Sequence, residues 1–175
     1  MKSQEMVAQS VRHSRDLLSR YLVGFDDSNY TATAAGLPNH VGWCLGHLAL
    51  TNNRFCGWLP RGRAELPAGD FVEGGASGDS ERFGTESVSF GSDPRGGAVF
   101  PRYERCVRVF TDSVERLAGA IEGLSEEELV RPVAMFRGVE SPPYLMAARA
   151  VYHVGIHNGQ IADLRRALGM KGVLG

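Results

Sequence analysis

Two histidines near the carboxyl end of the chain have the spacing of a metal-binding pair. His153 and His157 lie four residues apart in the segment Tyr-His-Val-Gly-Ile-His-Asn-Gly-Gln-Ile. On a helix this spacing places both imidazoles on one face, one turn apart. Together they can bind one small cation through nitrogen. The pair alone is a weak signal, because the same spacing occurs in hydrogen-bonded interior pairs and at the surface.

A third histidine strengthens the signal. His47 lies in the apolar run Gly-Trp-Cys-Leu-Gly-His-Leu, where an imidazole without a partner is costly to bury. Gly46, Gly155 and Gly159 lie near the histidines despite a helix-propensity cost of about 1 kcal/mol each. We expect them to let a neighbouring helix or a ligand come close. The sequence therefore predicts one divalent metal ion bound by His47, His153 and His157. The alternative is a triad satisfied by water or hydrogen bonds.

Polar residues close to the triad in sequence each have two readings. Cys44 can face the site, but a small buried residue is the more common role of such a cysteine. Gln160 can orient a ligand or a metal-bound water, or it can be an ordinary polar residue at the edge of the helix. Arg149 can meet an anionic substrate, although a solvated charge is more common.

The remaining histidines and two aromatic residues are expected to play structural parts. His40 stands at the start of a helix and is predicted to face solvent. His13 is alone in the first helix and is interpreted as structural or exposed. Trp43 and Tyr144 lie near helix starts and are predicted to belong to the core.

Four segments with helical periodicity would position these residues. Asn39 is the predicted cap of the second segment, and Ser125 begins a capping box ahead of a short helical turn. Proline after the cap and Gly169 mark the two ends of the last segment. The segments run from about Gln4 to Phe25, Asn39 to Leu59, Arg102 to Ile121, and Ser141-Pro142 to Leu168.

Residues 60–97 are rich in glycine and lose the apolar periodicity. They predict a long crossover loop between the second and third helices, which is either functional or a passive connection. Five apolar residues can pin it to the helices: Phe71, Phe83, Val88, Phe90 and Val99. No alternating strand pattern is visible. The sequence predicts an all-α four-helix bundle in which residues 1–175 form one domain.

The composition excludes several classes of protein. The chain has 175 residues, 43% hydrophobic and 22% charged, with a net charge of −1. This balance gives no electrostatic reason to expect nucleic acid or a membrane surface as a partner. The polar amino terminus lacks the apolar core of a signal peptide. Three widely spaced cysteines without a CxxC pair favour a reducing, cytoplasmic location.

The motifs together resemble the DinB-like superfamily, which includes the DinB proteins and the YfiT-like metal-dependent hydrolases. The resemblance rests on Gly-Trp-x-Leu-Gly-His-Leu, followed by His-x-x-x-His-x-Gly-Gln-Ile-x-x-Leu-Arg-Arg-x-Leu-Gly. It covers nearly the whole chain and implies a four-helix bundle, a homodimer, and a metal site at His47, His153 and His157. Many relatives carry acidic residues after the first histidine, where this chain reads Thr-Asn-Asn-Arg at residues 51–54.

Three neutral histidines would leave a divalent ion with its full charge and at least one open position, as in catalytic sites. Such an ion can lower the pKa of a bound water or hold a thiol as thiolate. The expected function is a metal-dependent hydrolase or a low-molecular-weight-thiol transferase acting on a small molecule. The alternative is a non-catalytic, metal-binding stress-response protein. No general base is evident, and zinc, nickel, iron and manganese all suit three imidazoles.

Overall fold

The structure is a computed structural model that describes residues 1–60, 62–63, 65–74, 77–135 and 138–173. Its helices are α1 (Ser3–Leu22), α2 (Val41–Trp58), α3 (Tyr103–Glu122), the short α4 (Glu126–Val130) and α5 (Pro143–Ala167). The four long helices form a closed ring, because α1 and α2 each pack against both α3 and α5. The predicted all-α fold is confirmed. None of the described helices is long and apolar enough to cross a membrane.

The long helices bury apolar side chains at the centre of the ring. Helix α3 is strongly amphipathic, and its stripe from Cys106 to Ile121 faces the core. Each fully buried residue such as Leu117 or Ile121 contributes roughly 1.5–3 kcal/mol through the hydrophobic effect. Helix α2 differs, since every residue from Val41 to Leu50 is buried. It is therefore covered both by the other helices and by a further segment on its outer side.

The end of α1 and the start of α2 differ from the sequence prediction. Helix α1 ends at Leu22 rather than Phe25, because Gly24 adopts a left-handed φ of 88° that breaks the helix. Phe25 is still buried beyond the helix end. Asn39 was wrong as the cap of α2. The cap is His40, whose Nδ1 accepts a hydrogen bond from the backbone N–H of Trp43 at 3.0 Å.

The predicted start of α4 and the predicted end of α5 are confirmed, whereas the predicted start of α5 is not. Ser125 and Glu128 form a reciprocal capping box at the start of α4. Helix α5 begins one residue later than predicted, because Pro142 rather than Ser141 is its cap and Pro143 holds the first helical position. It ends before Gly169, which has a left-handed φ of 71°.

The crossover after α2 carries short strands that the sequence did not predict. Strand β1 (Phe71–Val72) pairs in parallel with β2 (Phe83–Gly84), and a 3₁₀ turn follows at Glu86–Val88. Between α4 and α5, β3 (Val133–Ala134) pairs antiparallel with β4 (Glu140–Ser141). Strands of two residues are too short to show alternation in a sequence. Residues 61, 64 and 75–76 of the predicted loop lie outside the described residues.

Three of the five predicted loop anchors are buried, namely Phe71, Phe83 and Val88. The prediction was wrong for Phe90, which is 93% exposed, and for Val99, which is 49% exposed. A buried carboxylate adds a polar anchor: Asp70 contacts Arg105 at 2.9 Å and Arg116 at 2.7 Å, both on α3. The crossover is therefore held against α3 as well as α2.

Candidate metal centre

The structure brings the three predicted histidines together. His47 comes from α2, and His153 and His157 come from successive turns of α5. One nitrogen from each imidazole lies within 4.8 Å of the other two, and the Nε2 atoms of His153 and His157 are 3.1 Å apart. His47 and His157 are buried, whereas His153 is half-buried. The triad is therefore reached from solvent on the His153 side.

Hydrogen bonds on the far side of two rings fix which nitrogen faces the centre. The Nδ1 of His47 lies 2.8 Å from the carbonyl oxygen of Val88, so this nitrogen must donate. The Nδ1 of His157 lies 2.9 Å from Oε1 of Gln160 and donates in the same way. Because a neutral imidazole carries one proton, both rings direct an Nε2 lone pair inward. Histidine ligands of metals are oriented in this manner.

The surroundings keep the imidazoles neutral near pH 7. Burial lowers the pKa of His47 below its usual value. Burial, with a contribution from His47, lowers the pKa of His153 to about 4. Burial and the two neighbouring imidazoles lower the pKa of His157 to about 3. Neutral imidazole is the form that binds metal, so protons do not compete for these nitrogens at neutral pH.

Gln160 is a polar residue of the site rather than of the helix edge. Its Oε1 accepts from His157, and Asn39 Nδ2 lies 3.3 Å from the same oxygen. The Sγ of Cys44 is 3.9 Å away. Burial raises the pKa of Cys44 to about 12, so this thiol stays protonated and acts as a small buried residue, as expected. Three donors thus converge on one amide oxygen and hold it beside His157.

An aromatic ring covers His47. Trp43, one turn earlier on α2, stacks on the imidazole with centroids 4.6 Å apart and planes 10° from parallel. Trp43 is buried, in agreement with its predicted core position. Its role is more specific than filling space, because it limits the rotation of a candidate ligand.

Other residues near the motifs do not reach the triad. His40 was wrongly predicted to face solvent: it is 2% exposed and contacts the ring of Phe100 edge-on. Tyr144 was wrongly predicted to be buried, since it is 42% exposed. His13 and Arg149 are exposed, which agrees with the interpretation of His13 as an exposed residue and of Arg149 as a solvated charge. Neither belongs to the histidine cluster.

The three glycines have different surroundings. A Cβ at Gly46 would lie 2.6 Å from the ring of Phe83 and 2.8 Å from Val88. The close neighbour is therefore the crossover, not another helix. Gly155 and Gly159 are exposed, and a Cβ at either would meet nothing within 4 Å. The expectation that Gly155 and Gly159 let a neighbouring helix or a ligand come close is therefore wrong within this chain.

The arrangement fits a divalent ion. Three neutral nitrogen donors are close enough to share one ion, and two of them are held in the ligating tautomer by Val88 and Gln160. No carboxylate or thiol joins the cluster among the described residues, so the ligands would carry no negative charge. The hydrogen bond from His47 to the backbone carbonyl of Val88 could not be predicted from the sequence, because every residue type carries a backbone carbonyl.

The chain belongs to the DinB superfamily, whose sequence profile matches residues 10–161. A conserved protein from Enterococcus faecalis has a similar structure, with a TM-score of 0.67 and 16% identity over 97% of this chain and 99% of that chain. A histidine-to-alanine mutant of the mycothiol-dependent maleylpyruvate isomerase is also similar, with a TM-score of 0.63 and 16% identity. That similarity covers 91% of this chain and 61% of the isomerase chain. Comparison with curated proteins gives no significant match.

Proposed function

We propose that this protein is a metal-dependent enzyme that binds one divalent ion through His47, His153 and His157 and acts on a small molecule. The observation that carries the proposal is the pair of hydrogen bonds from Nδ1 of His47 and His157. They direct two lone pairs to one point beside the third imidazole, an arrangement that a merely structural cluster does not need.

We further propose thiol transfer in preference to hydrolysis. A bound divalent ion would supply Lewis acidity, which lowers the pKa of a coordinated thiol or water. Attack by water profits from a nearby general base, and the histidine cluster contains no carboxylate among the described residues. A low-molecular-weight thiol has a free pKa of about 8.5, much closer to neutrality than that of water, so at such a site it would release its proton to bulk solvent and would need no base from the protein. The similarity of the fold to an isomerase named for its dependence on mycothiol supports this choice.

The chain's own residues would share the work of the site. The half-buried His153 lies on the side where a small molecule can enter. Gln160 holds His157, while Trp43 and the crossover cover His47 and keep bulk water from its buried face. Shielding of this kind strengthens electrostatic interactions inside the site.

The proposal is tested by metal content and by activity together. Untagged protein should bind close to one equivalent of a divalent ion, and His153→Ala should lose it. His13→Ala is the matched control, because it removes an exposed histidine outside the cluster. Thiol-transfer and esterase rates are then compared for the three proteins. Bound metal without activity in either assay would favour the non-catalytic, stress-response alternative. Wild-type protein that takes up less than one equivalent under every loading condition would contradict both readings.

We also propose that two copies of the chain associate through the outer face of α5. This face carries little charge and exposes apolar or small residues along several turns: Leu145, Ala148, Tyr152, Gly155, Ile156 and Gly159. The two glycines have no steric reason within one chain, and a second helix packed closely against them would supply one. Sedimentation velocity should show a dimer that Tyr152→Glu dissociates. Val130→Glu, which changes an exposed residue on α4, should leave it intact; an unchanged dimer in the first variant refutes this face.

A further inference from the structure

The crossover contacts α2 along the face that carries His47. The hydrogen bond from His47 to Val88 is one of several such contacts spaced by helical turns. One turn earlier, the indole Nε1 of Trp43 donates to Oγ of Ser92 at 2.8 Å. At the start of the helix, His40 packs edge-on against the ring of Phe100 and lies close to the backbone of Pro94. The contacts follow the i, i+3, i+7 pattern of one helix face.

Gly46 leaves the space on α2 that this contact needs. The Phe83 ring and the Val88 side chain occupy the space where a side chain at residue 46 would lie. Both are fully buried. Because these two side chains of the crossover fill the space beside Gly46 on α2, the carbonyl oxygen of Val88 is held in position opposite His47.

Ser92 stands at the end of a tight turn. The backbone N–H of Ser92 donates to the carbonyl of Ser89 at 3.1 Å, and Gly91 has the left-handed φ of 84° that the third position of a type II turn requires. Oγ of Ser92 lies 2.9 Å from the carbonyl of Ser87 and 2.8 Å from that of Ser89. Its proton is therefore directed into the turn, and its lone pair remains for the indole of Trp43.

We propose that Trp43 and Ser92 are positioning residues for His47. Ser92 fixes the indole, the indole stacks on the imidazole, and Val88 orients the same imidazole from its other edge. Docking of the crossover and binding of the metal are then coupled, so that each stabilises the other. This inference rests on the proposed metal site, and it assigns to the crossover a part in metal affinity.

Cobalt(II) is the probe, because its visible absorption reports the ligand field at the bound ion. Ser92→Ala removes the acceptor of the indole hydrogen bond and should weaken Co²⁺ binding by about 3- to 10-fold. Trp43→Phe removes both that bond and part of the stack, and should weaken it by roughly 10-fold or more. Both variants should alter the visible spectrum. Phe90→Ala is the matched control in the same turn, since Phe90 is 93% exposed, and it should bind as the wild type does.

The double variant Trp43→Phe/Ser92→Ala shows whether Ser92 affects Co²⁺ binding through Trp43 or independently of it. If Ser92 acts through the indole, Ser92→Ala should have no further effect on Co²⁺ affinity in a Trp43→Phe background.

Fluorescence gives a second measurement. In Trp58→Phe protein the fluorescence of Trp43 alone is followed, and Co²⁺ should quench it when no other residue is changed. Circular dichroism of the metal-free variants establishes that each is folded at the temperature of the titration.

The outcomes distinguish this inference from the proposed function. Wild-type protein that binds no Co²⁺ contradicts the metal site itself, and the inference with it. Wild-type protein that binds Co²⁺, with Ser92→Ala equal to it in affinity and spectrum, overturns the positioning role alone. An equal loss from Ser92→Ala in both backgrounds also overturns it, because the hydroxyl would then not act through Trp43.

Discussion

Replacement of Gln160 by leucine tests the role of the amide beside His157. The variant Gln160→Leu keeps a side chain of similar size but removes the oxygen that accepts the Nδ1 proton at 2.9 Å. Without this acceptor His157 can move its proton to Nε2, the nitrogen that faces the centre. Metal binding must then force the proton back to Nδ1, where it has lost its partner.

The structure allows a magnitude for this loss. His157 is 4% exposed, so water does not readily replace the missing acceptor. A buried donor without a partner costs about 1–3 kcal/mol, which corresponds to a metal affinity about 5- to 150-fold weaker. Gln160→Glu should show the opposite behaviour, because a carboxylate accepts the same proton and raises the basicity of the ligand. Its affinity should equal or exceed that of the wild type.

Competition against a chromophoric zinc chelator at pH 7 measures both variants. His13→Ala provides the baseline, since its exposed histidine is outside the cluster. The thermal midpoint of each metal-free protein shows whether the fold is intact. Zinc affinity of Gln160→Leu within twofold of the wild type would refute the argument that Gln160 sets the tautomer of His157.

Three further predictions concern the stability of the metal-free protein, measured by urea unfolding. Gly46→Ala should lower the free energy of unfolding by about 1–3 kcal/mol, because its Cβ would meet the crossover. Gly119→Ala is the control, since nothing lies within 4 Å of a Cβ there, and it should raise the free energy of unfolding by up to about 1 kcal/mol. Equal effects of the two substitutions would refute the close packing of the crossover against Gly46. Asp70→Ala removes the carboxylate that two partly exposed arginines share and should cost about 1–3 kcal/mol, whereas loss of the exposed ion pair in Asp163→Ala should cost less than about 1 kcal/mol. Acid should also destabilise the fold below about pH 6.5, since burial lowers the pKa of four histidines and the unfolded chain then binds more protons. The slope should approach about 1.4 kcal/mol per pH unit for each histidine that stays neutral. A free energy of unfolding that does not change between pH 7 and 5 would contradict the neutral state of His40, His47, His153 and His157.

The helices and the triad could be predicted from the sequence because both depend on regular spacing. Period-3.6 patterns depend only on neighbours along one helix, and the same holds for the pair His153 and His157. The partnership with His47 followed from its apolar surroundings, where a lone imidazole is costly. These inferences need no knowledge of how the crossover folds.

The parts that could not be predicted depend on contacts between distant segments. His40 stands at a helix start, where exposure is the common outcome, yet Phe100 and Pro94 cover it. The orientation of His47 depends on the carbonyl of Val88, which any residue at that position could provide. Gly155 shows the opposite error, since a glycine in a helix indicates close packing but does not say against what.

One feature of α2 does bear on the crossover. A helix at the edge of a four-helix bundle normally keeps one polar face toward water. The first ten residues of α2, from Val41 to Leu50, offer no such face, and all of them are buried. Some other segment must then cover the outer side of this helix, and the crossover after α2 carries the buried residues that do so. Because His47 lies within those ten residues, the cover that completes the core also determines the surroundings of the candidate ligand. The crossover is therefore part of the core around His47 as well as the connection between α2 and α3.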